Sequence, residues 1–170
     1  MADALWKNRL MPNRLWGRLS LVGLAVALVT FVLDQASKLW VLEIINIDER
    51  PPIQITPFMD LAMAWNEGVS YGLLATNMQP LLVGISLLIS AVLWIWLARA
   101  KMTFVAVALG LLLGGAIGNA LDRLVHGAVA DFVHLHWGTW SWYVFNVADI
   151  AIVAGVALLV YDGLFGSAET

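Results

Sequence analysis

The chain has 170 residues, a length that suits one domain. It is 61% hydrophobic and 12% charged, with a mean hydropathy of +0.84. Soluble domains are about 45–50% apolar and about 25% charged, so this chain lacks the charge to wet a globular surface. Its net charge of −3 gives no ground for a nucleic-acid partner. The absence of cysteine excludes disulfides, thiolate catalysis and zinc–thiolate sites.

The N-terminal segment carries Lys7, Arg9, Arg14 and Arg18 and runs into the apolar stretch Leu19–Leu33. A bilayer core of about 30 Å takes about 20 helical residues. The stretch reaches that length if Asp34-Gln35-Ala36-Ser37-Lys38 is a polar turn on a continuing helix, after which Leu39-Trp40-Val41-Leu42 is apolar again. Phe31-Val32-Leu33-Asp34 offers no small-residue cleavage site, so the segment reads as a retained span and not a removed signal peptide. Further on, Leu61, Met63 and Trp65 alternate with Asp60, Ala62 and Ala64, as in a short strand. The next apolar runs are Pro80–Leu97 and Phe104–Leu121. The second of these carries Gly110, Gly114 and Gly118 on one helical face, a stripe that admits another helix at close range. Phe132–Trp137, Gly138-Thr139 and Trp140–Phe145 read as a hairpin or tight loop. Trp137, Trp140 and Trp142 there suit anchoring at a membrane interface. Val147–Phe165 is the last apolar run.

The expected fold is an all-α membrane protein: four transmembrane helices with a small β-rich extracytoplasmic segment. The spans fall near 19–38, 80–97, 104–121 and 147–165, with extracytoplasmic segments near 39–79 and 122–146, all in one membrane domain covering 1–170. The basic N-terminal segment and the link holding Arg99 and Lys101 should face the cytoplasm, which puts both termini there.

Polar residues in or beside apolar runs are the informative ones, because lipid makes them costly. Asp34 closes the first span; Asn119, Asp122 and Arg123 close the third; Asp131 follows in the loop; Asn146 and Asp149 open the fourth. With this topology they gather at one depth. Each also has a plain structural reading. Asp34 and Lys38 are spaced for a helical ion pair, Asn146 with Asp149 is a capping box, and Arg123 could snorkel at a helix end. Asp122, at a helix C-terminus disfavouring negative charge, needs a partner. No serine sits in a nucleophile elbow. His126, His134 and His136 include no HExxH pattern, and His134 and His136 lack an evident third ligand, so no metal site is expected. Carboxylates remain. Two close Asp side chains share a proton, and such a pair can activate water with one member and polarise a carbonyl with the other.

The residues that would build this site also carry a resemblance. Asp34-Gln35-Ala36-Ser37-Lys38, Asn66-Glu67-Gly68-Val69-Ser70-Tyr71-Gly72, Gly114 through Arg123, Val129-Ala130-Asp131-Phe132 and Phe145-Asn146-Val147-Ala148-Asp149 occur in that order. In these motifs the chain resembles the lipoprotein signal peptidases, bacterial signal peptidase II, from the first span through the fourth. Ser70-Tyr71 replaces the usual Ala-Phe of the second motif, and the C-terminus lacks the basic tail of some members. The resemblance implies that Asp131 and Asp149 are the catalytic pair of an aspartic endopeptidase. It implies that Asp34, Asn66, Asn119, Asp122, Arg123 and Asn146 support the pocket, and that no cofactor is needed. The implied substrate is a diacylglyceryl-modified prolipoprotein in membrane lipid, cut on the N-terminal side of the lipidated cysteine near the outer leaflet of a bacterial inner membrane. Inhibition by cyclic depsipeptides of the globomycin type is implied in the same way. A proton- or cation-coupled transporter would instead want carboxylates near the midplane. A membrane scaffold would account for the glycine stripe and tryptophans but not for Asp131 together with Asp149.

Overall fold

The structure, a computed structural model, describes residues 15–68 and 78–166. Lys7, Arg9 and Arg14, the Ser70-Tyr71 pair and the tail from 167 onward lie outside the described residues.

Among the described residues, four helices are long and apolar enough to cross a membrane. The first, α1 (Ser20–Leu39), passes without a break into a π-helical turn, Trp40–Ile44, so the span runs Ser20–Ile44. Asp34–Lys38 is therefore a polar turn inside a continuing helix, as its apolar flanks require. The second, α2 (Gln79–Leu97), has Pro80 in its first turn, where a missing N–H costs nothing. The third, α3 (Thr103–His126), is longer than the apolar run suggests. Asp122 and Arg123 interrupt the run but not the helix, which stops at Gly127, whose left-handed φ of 73° ends the hydrogen-bond ladder. The fourth, α4 (Val147–Phe165), starts at Asn146.

Helix α3 is the hub, packing on α1, α2 and α4. The buried residues of α1 are Ser20, Gly23, Ala27, Thr30, Asp34 and Lys38, a single stripe of small and polar side chains at helical spacing. The Gly110–Gly114–Gly118 stripe is the seat for it. A Cβ on Gly110 would lie 2.5 Å from the Gly23 carbonyl oxygen, one on Gly114 2.7 Å from Thr30 Cβ, and one on Gly118 2.5 Å from Asp34 Oδ2. Gly115 and Gly155 do the same for α4: a Cβ on Gly115 would meet the Ala148 carbonyl oxygen at 2.7 Å, and one on Gly155 the Ala108 carbonyl oxygen at 2.8 Å. With lipid as apolar as leucine, close packing of this kind holds the bundle together. Large aliphatic side chains such as Leu28, Val32, Leu88, Val153 and Leu164 point outward.

At one end of the bundle sits a four-stranded antiparallel sheet in the order β1 (Ile53–Thr56), β2 (Met59–Asn66), β3 (Val129–Trp137), β4 (Trp140–Ser141). Val41 from the end of the first span and Ile47 from the short turn after it pack with Leu61 and Phe132 and fix the sheet to the helices. The alternation expected at 60–65 is interrupted. Leu61 faces Val133 while Ala64 faces Asp131, so β2 holds one extra residue, a bulge. Past it Trp65 leaves the apolar face, is exposed, and stacks on His126 with ring centroids 5.4 Å apart.

Candidate active site

Five elements bring the polar residues together, with Asp34 coming from α1 and Asn66 from β2. β3 carries Asp131 directly out of α3, α3 supplies Asn119, Asp122 and Arg123 from its last turns, and the start of α4 supplies Asn146 and Asp149. Asn146 closes a capping box: its side chain accepts from the Asp149 N–H at 3.0 Å, and the Asn146 N–H donates to Asp149 Oδ2 at 3.3 Å. The structural reading of this pair is thus correct, but it leaves the other atoms of both side chains free for the site. Asn146 Nδ2 donates to Asp131 Oδ1 at 2.6 Å and to Asn119 Oδ1 at 3.2 Å. Asn119 Nδ2 donates to Asp149 Oδ1 at 2.9 Å. Two amides therefore bridge two carboxylates. Asn66, at the end of β2, donates to the second oxygen of Asp131 at 3.1 Å.

Asp131 is buried and Asp149 half-buried. Burial pushes the Asp131 carboxyl up to about 6, and the charge of Asp149 pushes the same way. The hydrogen bonds from Asn66 and Asn146 and the charge of Lys38 oppose the rise. Asp131 therefore favours its protonated form far more than a free carboxyl does.

Beneath the amides lies a buried ionic knot. Lys38 Nζ is 2.8 Å from Asp34 Oδ2, 2.7 Å from Asp122 Oδ2 and 3.2 Å from Asn119 Oδ1. Gln35 Nε2 donates to Asp34 and Asp122, each at 3.0 Å. Both carboxylates also accept backbone N–H groups: Asp34 from Ala148 at 3.0 Å through its other oxygen, Oδ1, and Asp122 from Ala130 at 3.2 Å through Oδ2, the oxygen that also meets Lys38. Ala148 adjoins Asp149 and Ala130 adjoins Asp131, so the knot holds the backbone beside each outer carboxylate. Arg123 joins through Nη1, which donates to the Asn119 carbonyl at 3.2 Å; its buried Nε has no hydrogen-bond partner among the described residues.

His134 and His136 face Asp60 across the β2–β3 pair, His136 Nε2 at 3.1 Å and His134 Nδ1 at 3.8 Å, and His134 Nε2 lies 2.7 Å from Ser141 Oγ. Among the described residues no three His, Asp or Glu side chains are grouped to hold a metal ion.

The family profile described as signal peptidase (SPase) II matches residues 26–165, a range that holds the whole of this network. The chain belongs to the signal peptidase II family. Among its relatives, the lipoprotein signal peptidase of Methylobacterium sp. (strain 4-46) is 50% identical over 152 residues, covering 88% of this chain and 92% of that one. The enzyme of Methylorubrum extorquens (strain PA1) is 52% identical over 145 residues, covering 84% and 85%. A bacterial membrane enzyme solved by the in meso method superposes with a TM-score of 0.74 at 25% identity, over 86% of this chain and 94% of that one. The chain is accordingly a multi-pass bacterial membrane protein of a peptidase family.

All eight residues singled out in the sequence lie in one connected network. The sequence shows Gln35 and Lys38 as part of a motif, with Lys38 as half of an ion pair, but not their reach across to Asp122 and Asn119. The available signal was the count of charges: Asp122 needed a cation, and Lys38 is the one cation within the first span.

Proposed function

We propose that this chain is an aspartic endopeptidase whose catalytic pair is Asp131 and Asp149, and that it removes the signal peptide from diacylglyceryl-modified prolipoproteins on the N-terminal side of the lipidated cysteine. The observation that carries this reading is the pair of carboxylates joined through Asn119 and Asn146 at one end of the bundle, one of them shifted strongly toward its protonated form. A protonated Asp131 can donate to the scissile carbonyl oxygen. Asp149 sits in the first turn of α4, where free backbone N–H groups suit negative charge, and can take a proton from the attacking water. The tetrahedral intermediate then collapses with a proton delivered to the leaving amine. No covalent enzyme intermediate is needed. Asn66, Asn119 and Asn146 hold the two carboxylates in place, Asp34 and Asp122 anchor the adjoining backbone, and Arg123 is the nearby cation able to take a substrate carbonyl.

The depth of the site fits the substrate. A signal peptide is an apolar helix that can enter sideways from lipid, and the acyl chains keep the cleavage point close to the membrane surface. The basic Arg99–Lys101 link supports a cytoplasmic position for the opposite bundle end, with the site facing outward. A globomycin-type depsipeptide, which offers backbone carbonyls and an acyl tail, is expected to compete for the same position.

The deciding experiment incubates the purified protein with a prolipoprotein bearing, or lacking, the diacylglyceryl group. Release of signal peptide is expected from the lipidated form only. Asp131→Asn and Asp149→Asn should each abolish release, losing at least about 10⁴-fold in rate, while retaining the thermal unfolding profile of the parent. Full activity in either folded variant would overturn the assignment.

A further inference from the structure

One peptide unit beside Asp131 has both of its polar edges held by side-chain amides. Its N–H, on Gly68, donates to Asn66 Oδ1 at 2.8 Å, and its carbonyl, on Glu67, accepts from Gln79 Nε2 at 2.8 Å. Asn66 Nδ2 in turn donates to Asp131 Oδ2 at 3.1 Å. The hydrogen bonds thus run in one line from Gln79 through the peptide and Asn66 to the carboxyl. Gln79 opens α2, and the same helix meets the peptide a second time: a Cβ on Gly68 would lie 2.5 Å from Leu82 Cδ1. Gly68 has a φ of 82°, a conformation that favours glycine. Gln79 Oε1 is buried and has no hydrogen-bond partner among the described residues, so the donation to Glu67 is what orients that amide there.

We propose that Gln79 is a positioning residue for Asp131: its amide locks the Glu67–Gly68 peptide in the orientation that turns the Asn66 donor onto the carboxyl. This rests on the reading of Asp131 and Asp149 as the catalytic pair. Three physical points carry it. Asn66, Glu67 and Gly68 are all exposed, so water competes for each polar group of the turn and burial does not hold it. A peptide ahead of a glycine flips readily, because glycine accepts either sign of φ. Such a flip withdraws the N–H from Asn66 Oδ1 and leaves the Asn66 amide free to turn its oxygen, instead of its NH2 group, toward Asp131. Hydrogen bonds in series also polarise one another, so the donor on Gln79 strengthens the one on Asn66.

Gln79→Met keeps the length of the side chain and removes the donor. With a lipidated prolipoprotein as substrate it should lower kcat by about 2- to 10-fold, the worth of one hydrogen bond. It should also move the descending limb of the kcat/KM profile to higher pH, because Asn66 then favours the ionised carboxyl less. Gln79→Met combined with Asn66→Ala should move the limb no further than Asn66→Ala alone. Gln79→Lys, which retains a donor, should hold it at or below the parent's pH. The charges that face Asp131, which are Asp149 on α4, Lys38 on α1 and Arg123 on α3, are untouched in all of these. A merely structural role would lower the thermal midpoint and leave the limb where it is. Gly68→Ala disturbs the same peptide from the Leu82 side and should also raise the limb, which decides the matter should Gln79→Met not fold. A limb that stays put, or a shift that adds to that of Asn66→Ala, overturns the proposal. If the parent protein releases no signal peptide, the peptidase reading fails by itself. The infrared band of the protonated Asp131 carboxyl, identified by its loss in Asp131→Asn, then reports whether Gln79→Met raises the titration midpoint, and an unmoved midpoint overturns the positioning role.

Discussion

At Asp131 the decisive quantity is a balance of opposing effects. Removal from water raises its carboxyl, the neighbouring charge of Asp149 raises it further, and the amides of Asn66 and Asn146 pull it back by donating to the ionised form. Asn66→Ala deletes one of those donors from an exposed position, so the carboxyl should rise above about 6. If the pair must hold one proton to act, kcat/KM falls as pH rises past the loss of that proton. The descending limb of the kcat/KM profile should then move to higher pH in Asn66→Ala, with the fold intact. A limb that stays put, or moves to lower pH, would refute the role given to Asn66. Lys38 presents a different balance. Its side chain is 4% exposed and the carboxylates of Asp34 and Asp122 are 0% and 3% exposed. Removing one member of a buried ion group leaves charge without compensation and costs about 3–5 kcal/mol. Lys38→Met should therefore lower the thermal midpoint in detergent by many degrees, and Lys38→Met with Asp122→Asn should recover part of the loss, since only one carboxylate is then left unpaired.

Among the elements, what could be read from sequence was what lipid imposes. Long apolar runs, a small-residue stripe and a polar turn on a continuing helix follow directly from a solvent that cannot hydrogen-bond, and each recurs in the structure. The capping box at Asn146 and the hairpin at Gly138 are local and were equally visible. What failed was whatever depends on a distant neighbour. Asp122 and Arg123 break hydropathy, yet α3 continues because Lys38 and the Asn119 carbonyl satisfy them. The bulge in β2 shifts the phase of its alternation, and only the pairing with β3 reveals it. The polar residues that meet in the network were legible as a set, while the bonds joining them were not, because spacing along one helix says nothing about the helix beside it. The glycines separate these two kinds of information experimentally. Gly114 and Gly84 both lie inside apolar helices, but a Cβ on Gly114 would meet Thr30 at 2.7 Å, whereas one on Gly84 meets nothing within 4 Å. Gly114→Ala should destabilise by about 1–3 kcal/mol through overpacking against α1. Gly84→Ala should be stabilising by up to about 1 kcal/mol, as expected when a mid-helix glycine is replaced. Thermal unfolding of the two variants in one detergent decides it, and equal effects would mean that the α1–α3 contact is not as close as the structure has it.

For the whole molecule the open question is which way the bundle points. Four spans return the chain to its starting side. Arg18, before α1, and Arg99 and Lys101, between α2 and α3, lie at the end opposite the Asp131 network, and we propose from this bias of basic residues that this end faces the cytoplasm. The proposed reaction requires the same orientation for an independent reason: the substrate's lipidated cysteine heads a protein destined for the far side, so its bond must be cut from there. Single cysteines in the otherwise cysteine-free chain test both arguments together. In intact cells with a permeabilised outer envelope, a membrane-impermeant maleimide should label Glu49→Cys readily and Lys101→Cys only after the inner membrane is opened. The reverse pattern would turn the two carboxylates toward the cytoplasm, where a prolipoprotein reaching its cleavage point from the other leaflet could not meet them, and the proposed reaction would fail even with the site geometry unchanged.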